Sequence, residues 1–247
     1  MDAGAREAYD AMADAYVADE GNAYNALYER PATLAALGDV AGRRVLDAGC
    51  GAGALAAELV ARGATVEGVD VSPRMVALAR ARGLGPRARF AVGDLTDGAA
   101  LAAFPDDAFD AAAASLVLHY VRDWEPLLGR LARVVRGGGR VVASTHHPEM
   151  VDHEWPTDDP DAVALLHDRW VKGGATYDVR FWRRPLRAML AAFAAAGLAV
   201  EEVVEPEPLP ECRQVDPVAW ERLSGRPWFL VFVLSAPGRR TAGRRRA

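Results

Sequence analysis

Val45-Leu46-Asp47-Ala48-Gly49-Cys50-Gly51-Ala52-Gly53 is the stretch that decides the fold. An apolar run passes into alternating glycines, and an alanine-rich helical pattern follows over residues 53–62. A buried strand that enters a helix through glycines turns backbone N–H groups and a helix N-terminus towards a ligand. Glycine is needed there because a Cβ would block close approach or forbid positive φ. About twenty residues on, the next β-rich run closes as Val66-Glu67-Gly68-Val69-Asp70. A carboxylate at that place can accept the hydroxyls of a ribose.

Outward from this core the rhythm continues. β-rich runs lie at Arg44–Ala48, Thr65–Val69, Ala88–Val92, Phe109–Ala113 and Arg140–Ser144, with helical patterns at Pro73–Arg82 and Trp124–Arg136 between them. Gly137-Gly138-Gly139 is expected to end the last of these helices. Such alternation marks βα units. Residues 3–38 read as helices broken at Gly21-Asn22, and residues 148–182 have no clean period, being rich in Asp, Pro and aromatics. That stretch exceeds an ordinary connection and is expected to be a functional insertion. A helix from Pro185 to Gly197 follows, then strands Leu198–Val204 and Trp228–Leu234, expected to pair antiparallel with no long helix between them. The pattern is α/β, a mostly parallel sheet with helices on both faces. Its expected divisions are a helical cap over 1–39, a main domain over 40–237 and a tail over 238–247.

Composition narrows the partners. The chain has 247 residues, a formal charge of −5 and 51% hydrophobic residues, which fits an ordinary folded protein rather than a disordered one. No apolar run reaches the length of a membrane span, and no basic flank precedes an apolar stretch near Met1, so a cytoplasmic setting and no membrane partner are expected. Cys50 and Cys212 are too few for a disulfide framework or a cysteine-rich zinc site. Arg239, Arg240, Arg244, Arg245 and Arg246 gather in the tail and read as a solvated segment. With negative net charge and no Asn/Asp-Pro-Pro-aromatic motif, nucleic acid is not an expected partner. Monomer and homodimer both remain open.

The glycine loop alone fits two ligands. Gly49-x-Gly51-x-x-Ala54 also matches a dinucleotide-binding pattern with alanine last, and Asp70 suits NAD. Asp47 argues otherwise, since a carboxylate there opposes a pyrophosphate but suits an ammonium or sulfonium. Val92-Gly93-Asp94-Leu95 offers an acceptor for an adenine amino group, and the closing strand pair stands where a second βαβαβ half would lie.

In VLDAGCGAG, VEGVD, VGDL, FDAAAASLVLHYV and RVVRGGGRVVAST, taken in that order over about residues 9–237, the chain resembles the class I S-adenosylmethionine-dependent methyltransferases, specifically the small-molecule, ubiquinone-type group. The resemblance implies a Rossmann-like, doubly wound, seven-stranded sheet with an antiparallel last strand and an N-terminal helical cap. It also implies S-adenosyl-L-methionine as cofactor. Gly49, Gly51 and Gly53 would then lie beneath its methionine part, and Asp47 would reach its amino group. Asp70 would hold the ribose, Val71 would lie beside the adenine, and Asp94 and Leu95 would read the adenine edge. Ser115 would line the methionine end. Tyr9 and Tyr16 lie on a helix that folds over the cofactor in such proteins, and Arg30 suits the methionine carboxylate.

Methyl transfer requires in-line approach and exclusion of water, and a base only for acceptors that must lose a proton. His119 follows the fourth strand and His146 and His147 the fifth, where ligands bind in open α/β sheets, so these three are the candidate bases. A metal site from His146, His147, Asp152, His153 and Glu154 lacks a helical ligand spacing, and no metal is expected. Trp155, Trp170, Tyr177, Phe181 and Trp182 are expected to form an apolar pocket for a small-molecule acceptor, with Arg180, Arg183 and Arg184 placed for an acidic group on it. The expected function is methylation of a small molecule, such as a secondary metabolite. The alternatives are an NAD-dependent oxidoreductase and a non-catalytic S-adenosylmethionine-binding regulatory module.

Overall fold

The computed structural model describes residues 4–238, so the arginine-rich tail from Arg239 onward lies outside the described residues. The chain opens with α1 (Ala5–Ala18), a π-helical turn (Asn25–Glu29) and α2 (Arg30–Leu37). Four βα units and a fifth strand follow: β1 (Arg44–Ala48), α3 (Ala54–Ala61), β2 (Thr65–Asp70), α4 (Pro73–Ala81), β3 (Ala88–Val92), α5 (Ala99–Ala102), β4 (Phe109–Ala114), α6 (Trp124–Val134) and β5 (Val135–His146). Then come α7 (Pro148–Glu154), β6 (Ala164–Lys172), β7 (Ala175–Arg183), α8 (Leu186–Ala195), β8 (Ala199–Val204), α9 (Cys212–Val215), α10 (Pro217–Gly225) and β9 (Phe229–Ser235).

Seven strands form one sheet in the order β3-β2-β1-β4-β5-β9-β8. β1 to β5 pair in parallel, and β9 runs antiparallel to both β5 and β8. The order reverses between β1 and β4, which opens a crevice at the carboxyl ends of those strands. Strand residues alternate between two cores. Leu46, Ala112, Val141 and Phe232 pack under α6 and α8, while Val45, Val66, Ala113 and Val142 pack under α2 and α3. Along α6, Trp124, Leu127, Leu128 and Leu131 recur at helical spacing and are buried together.

Three expectations are corrected. Gly137-Gly138-Gly139 does not end α6, because Val135 already pairs with Phe109 and β5 has begun. The next pair is Arg140 with Ala111, so four residues of β5 bulge out opposite a single β4 residue. A Cβ on Gly139 would lie 2.7 Å from the Asp110 carbonyl oxygen, which is why that bulge takes glycine. Second, residues 148–182 do carry a period. β6 and β7 form a hairpin closed by Gly173-Gly174, both at positive φ (57° and 80°), as a tight primed turn requires. Third, the connection from β8 to β9 contains a helix of 9 residues, α10, whose first turn is capped by Asp216 through the Ala219 N–H.

Among the described residues no helix is long and apolar enough to cross a membrane.

Candidate active site

A cavity of about 600 Å³ opens at the carboxyl ends of β1, β2, β4 and β5, a volume suited to small organic ligands. Its floor is the glycine loop. Gly49 and Cys50 donate backbone N–H bonds to the Val69 carbonyl at 2.8 and 3.1 Å, which pulls the loop onto the end of β2. Gly49 sits at φ 81°, where a Cβ would lie 2.5 Å from Val117 Cγ2, so no larger residue fits beneath the loop after β4. A Cβ on Gly51 would meet nothing within 4 Å, because that side of the loop faces the cavity. Gly53 is set further back, as the left-handed residue that starts α3.

Two carboxylates end the neighbouring strands. Asp70 accepts the Gly51 N–H at Oδ2 (2.8 Å) and the Ser72 N–H at Oδ1 (2.9 Å), and burial raises its pKa against those bonds. Asp47 is 1% exposed, and its Oδ2 has no hydrogen-bond partner among the described residues. Burial, then the charges of Asp70 and Glu29, push its pKa up to about 7, while Arg30 pulls it down. A buried carboxylate in this condition is completed by a cation. Arg30 lines the same end of the cavity, and Val71 and Ser115 stand in its walls. The Ser115 hydroxyl donates to Glu29 Oε1 at 2.8 Å. Tyr16 closes the roof, its hydroxyl accepting from Asn25 Nδ2 at 3.2 Å and pushed up by burial to a pKa of about 12.

An ammonium for Asp47, a carboxylate for Arg30 and an uncharged thioether or sulfonium over the glycines together describe the amino acid end of S-adenosylmethionine. A pyrophosphate would instead meet the Asp47 carboxylate. The residues present therefore fit that cofactor better than they fit NAD.

The far end of the cavity is aromatic. Met150 from α7, Trp155 just after it, Trp170 from β6 and Phe181 from β7 surround it, together with Tyr9 and Tyr120, whose hydroxyls lie 2.9 Å apart. His119 and His146 stack there with ring centroids 4.0 Å apart and planes 11° apart. Nδ1 of each ring is buried with no hydrogen-bond partner among the described residues, and both residues line the cavity. Burial lowers both pKa values, that of His146 to about 4, and His146 depresses His119 further. Both are neutral near pH 7, below the near-neutral range of an ordinary histidine.

Several expected residues are not brought to the cavity. His147 caps α7 by accepting the Glu149 N–H at Nδ1 (3.1 Å), and its Nε2 lies 3.2 Å from Glu205. Asp94 takes the Thr96 N–H and hydroxyl in a tight turn, and Leu95 is fully buried in the core below it. Arg183 is 2% exposed and holds Asp152 and the carbonyls of Pro160 and Ala162 at the root of the hairpin. Arg184 donates to the Arg122 carbonyl, and Arg180 is exposed. Arg183 thus serves the root of the hairpin, and none of the three arginines lines the cavity. Conversely, Glu29, Leu116, Val117, Tyr120, Trp228 and Phe229 line the cavity and carried no assignment from sequence. The loop after β4 announces Leu116, Val117 and Tyr120, whereas Trp228 and Phe229 arrive from a distant strand that gives no local signal.

Comparison with known proteins agrees with this geometry. Residues 46–143 match the model of a methyltransferase domain. A demethylmenaquinone methyltransferase of Tropheryma whipplei is 40% identical over 120 residues, 48% of each chain. A ubiquinone biosynthesis O-methyltransferase of Methylocella silvestris is 33% identical over 164 residues, 64% of this chain and 59% of that one. The matched stretch thus spans about half the length of the curated relatives. Among solved structures, an S-adenosylmethionine-dependent methyltransferase from Mesorhizobium loti superposes with a TM-score of 0.65 at 29% identity, covering 83% of this chain and 96% of that one. The geranyl diphosphate C-methyltransferase of Streptomyces coelicolor shares the fold, with a TM-score of 0.58 at 19% identity over 84% of this chain and 77% of that one. Residues 46–143 of this chain thus match a methyltransferase domain, and the chain carries the fold seen in S-adenosylmethionine-dependent methyltransferases.

Proposed function

We propose that the protein transfers a methyl group from S-adenosylmethionine to a small-molecule acceptor. The observation that carries the reading is Asp47, buried with a bare oxygen beside Arg30 at the end of the glycine loop. Gly49, Gly51, Asp70, Val71, Ser115 and Tyr16 complete the cofactor end, and the names of the relatives support quinone-like or other small organic acceptors. When bound, S-adenosylmethionine supplies an electrophilic methyl on a sulfonium. The chain's own residues supply position and dryness. Trp155, Trp170 and Phe181 exclude water and hold the acceptor in line with the methyl, so the entropic part of the barrier is met by binding. For an acceptor that must lose a proton, the imidazole of His119 or His146 is the neutral base at hand. The proposed divisions are the cap over 1–39, a catalytic domain over 40–237 and an acceptor-covering module over 148–182. The two buried free cysteines suit a reducing cytoplasm.

Thermal unfolding with S-adenosylhomocysteine and with NAD, each at several concentrations, tests this. At about 100 times its dissociation constant, S-adenosylhomocysteine should add roughly 2.7 kcal/mol to stability. A saturable shift with NAD alone overturns the proposal.

A further inference from the structure

One carboxylate at the cofactor end has no part in the function proposed above. Glu29 closes the π-helical turn, is 2% exposed, and stands in the cavity wall. Single π-helical turns often sit at functional sites because they displace one residue from the helical face. Three hydroxyls converge on one oxygen of Glu29. Thr33 Oγ1 of α2 (2.7 Å), Ser115 Oγ after β4 (2.8 Å) and Ser144 Oγ of β5 (2.5 Å) all donate to Oε1. The Ser144 hydroxyl is fixed in that role because its oxygen accepts the Leu116 N–H at 2.8 Å.

The other oxygen, Oε2, accepts no hydrogen bond among the described residues. Here one oxygen is saturated and the other is left over, in a side chain almost wholly removed from water. Oε2 is not itself fully buried, so the small exposed part of Glu29 includes this free oxygen, where an arriving cation can meet it. Asp47 lines the same cavity with a bare oxygen of its own, this one fully buried. The two carboxylates are near enough that the charge of Glu29 raises Asp47, and it raises Tyr16 above them as well.

We infer that Glu29 is a second ligand, with Asp47, for the ammonium of an amino acid-bearing nucleoside, and that the pair selects such ligands over nucleosides lacking the amino acid. This rests on the cofactor reading proposed above. It also gives the three hydroxyls a purpose: they fix Oε1 so that Oε2 is aimed before the ligand arrives.

Glu29→Gln is the direct test, since the amide oxygen can keep all three hydroxyl bonds while an NH2 replaces Oε2. Titration calorimetry at about pH 8 would compare S-adenosylhomocysteine with 5′-methylthioadenosine, which has no amino acid end. E29Q should lose about tenfold or more in affinity for the first and change little for the second. Unchanged affinity for S-adenosylhomocysteine overturns the inference. Equal loss of both ligands also overturns it and makes Glu29 an anchor only. Should E29Q not fold, Asp47→Asn gives the same answer. That variant must still prefer S-adenosylhomocysteine to its deaminated analogue by about tenfold if Glu29 contacts the ammonium, and must lose the preference if it does not. Wild-type protein that takes no S-adenosylhomocysteine at all defeats the cofactor reading and this inference together, whereas failure in the variants alone leaves the cofactor reading standing.

Discussion

At the scale of single residues, Asp47 sets a pH dependence with a definite sign. Its carboxyl titrates near 7 in the folded protein against 3.8 in an unfolded chain. Between those values the folded state holds a proton that the unfolded state has released, so stability without ligand falls as pH rises from about 4 to 7. Above pH 7 the buried charge remains as a constant cost. Asp47→Asn should therefore raise the unfolding free energy at pH 8 by about 2–4 kcal/mol, read by urea titration. His146 has the opposite slope, its stability contribution being lost as pH falls from about 6.5 towards 4. In the same Asp47→Asn variant, binding of S-adenosylhomocysteine should weaken and lose its pH dependence. In the wild type that affinity should fall up to about tenfold per unit below pH 7, because the proton on Asp47 must leave before an ammonium can pair with it. Equal slopes in both proteins would remove Asp47 from the site. The position of Asp47 at a strand end is readable from its place before the first glycine. Its bare oxygen is not, because lacking a partner is a property of everything that fails to reach it. Likewise, sequence does not separate His146 from its neighbour, since the direction in which each imidazole leaves the end of β5 decides which one meets the cavity and which caps α7.

Among elements, the β6–β7 hairpin is the one that sequence hides. Leu166, Asp168 and Trp170 face inward while Leu165, His167, Arg169 and Val171 face outward, so apolar residues occupy both faces and the period of two is masked. Gly173-Gly174 was the remaining signal, and it lay inside a stretch dominated by charges and aromatics. Replacing both with alanine forces two non-glycine residues to positive φ, at about 1–2 kcal/mol each. The expected result is faster amide exchange over residues 164–183 with β1 to β5 still protected, measured by mass spectrometry. Uniformly faster exchange through the sheet would mean that the hairpin is not a separable unit. The glycine triplet in β5 misled for a related reason. Glycines stop helices and also permit bulges, and only the pairing of Val135 with Phe109 distinguishes the two.

On the scale of the whole molecule, the sheet was legible because each βα unit repeats a local signal, and β9 because it is an uninterrupted apolar run, whereas the α9 and α10 helices before it carry no such clear period. Which face each element covers depends on packing. Phe193 of α8 is fully buried between Trp124 and Phe232, at centroid distances of 5.8 and 4.9 Å. Phe193→Ala should cost about 3–5 kcal/mol of stability and leave ligand affinity unchanged, since it empties the core on the face away from α2 and α3. Reduced affinity in the folded variant would show that the two faces are coupled. The segment from α7 to β7 leaves the sheet at the end of β5 and is sewn at its base by Arg183, which reaches Asp152 and the carbonyls of Pro160 and Ala162. A segment so rooted is an exchangeable cassette. On the function proposed above, the residues that hold the methyl donor and those that cover its receiver lie in separate stretches of the gene, the second only some thirty-odd codons long, so the two can change independently.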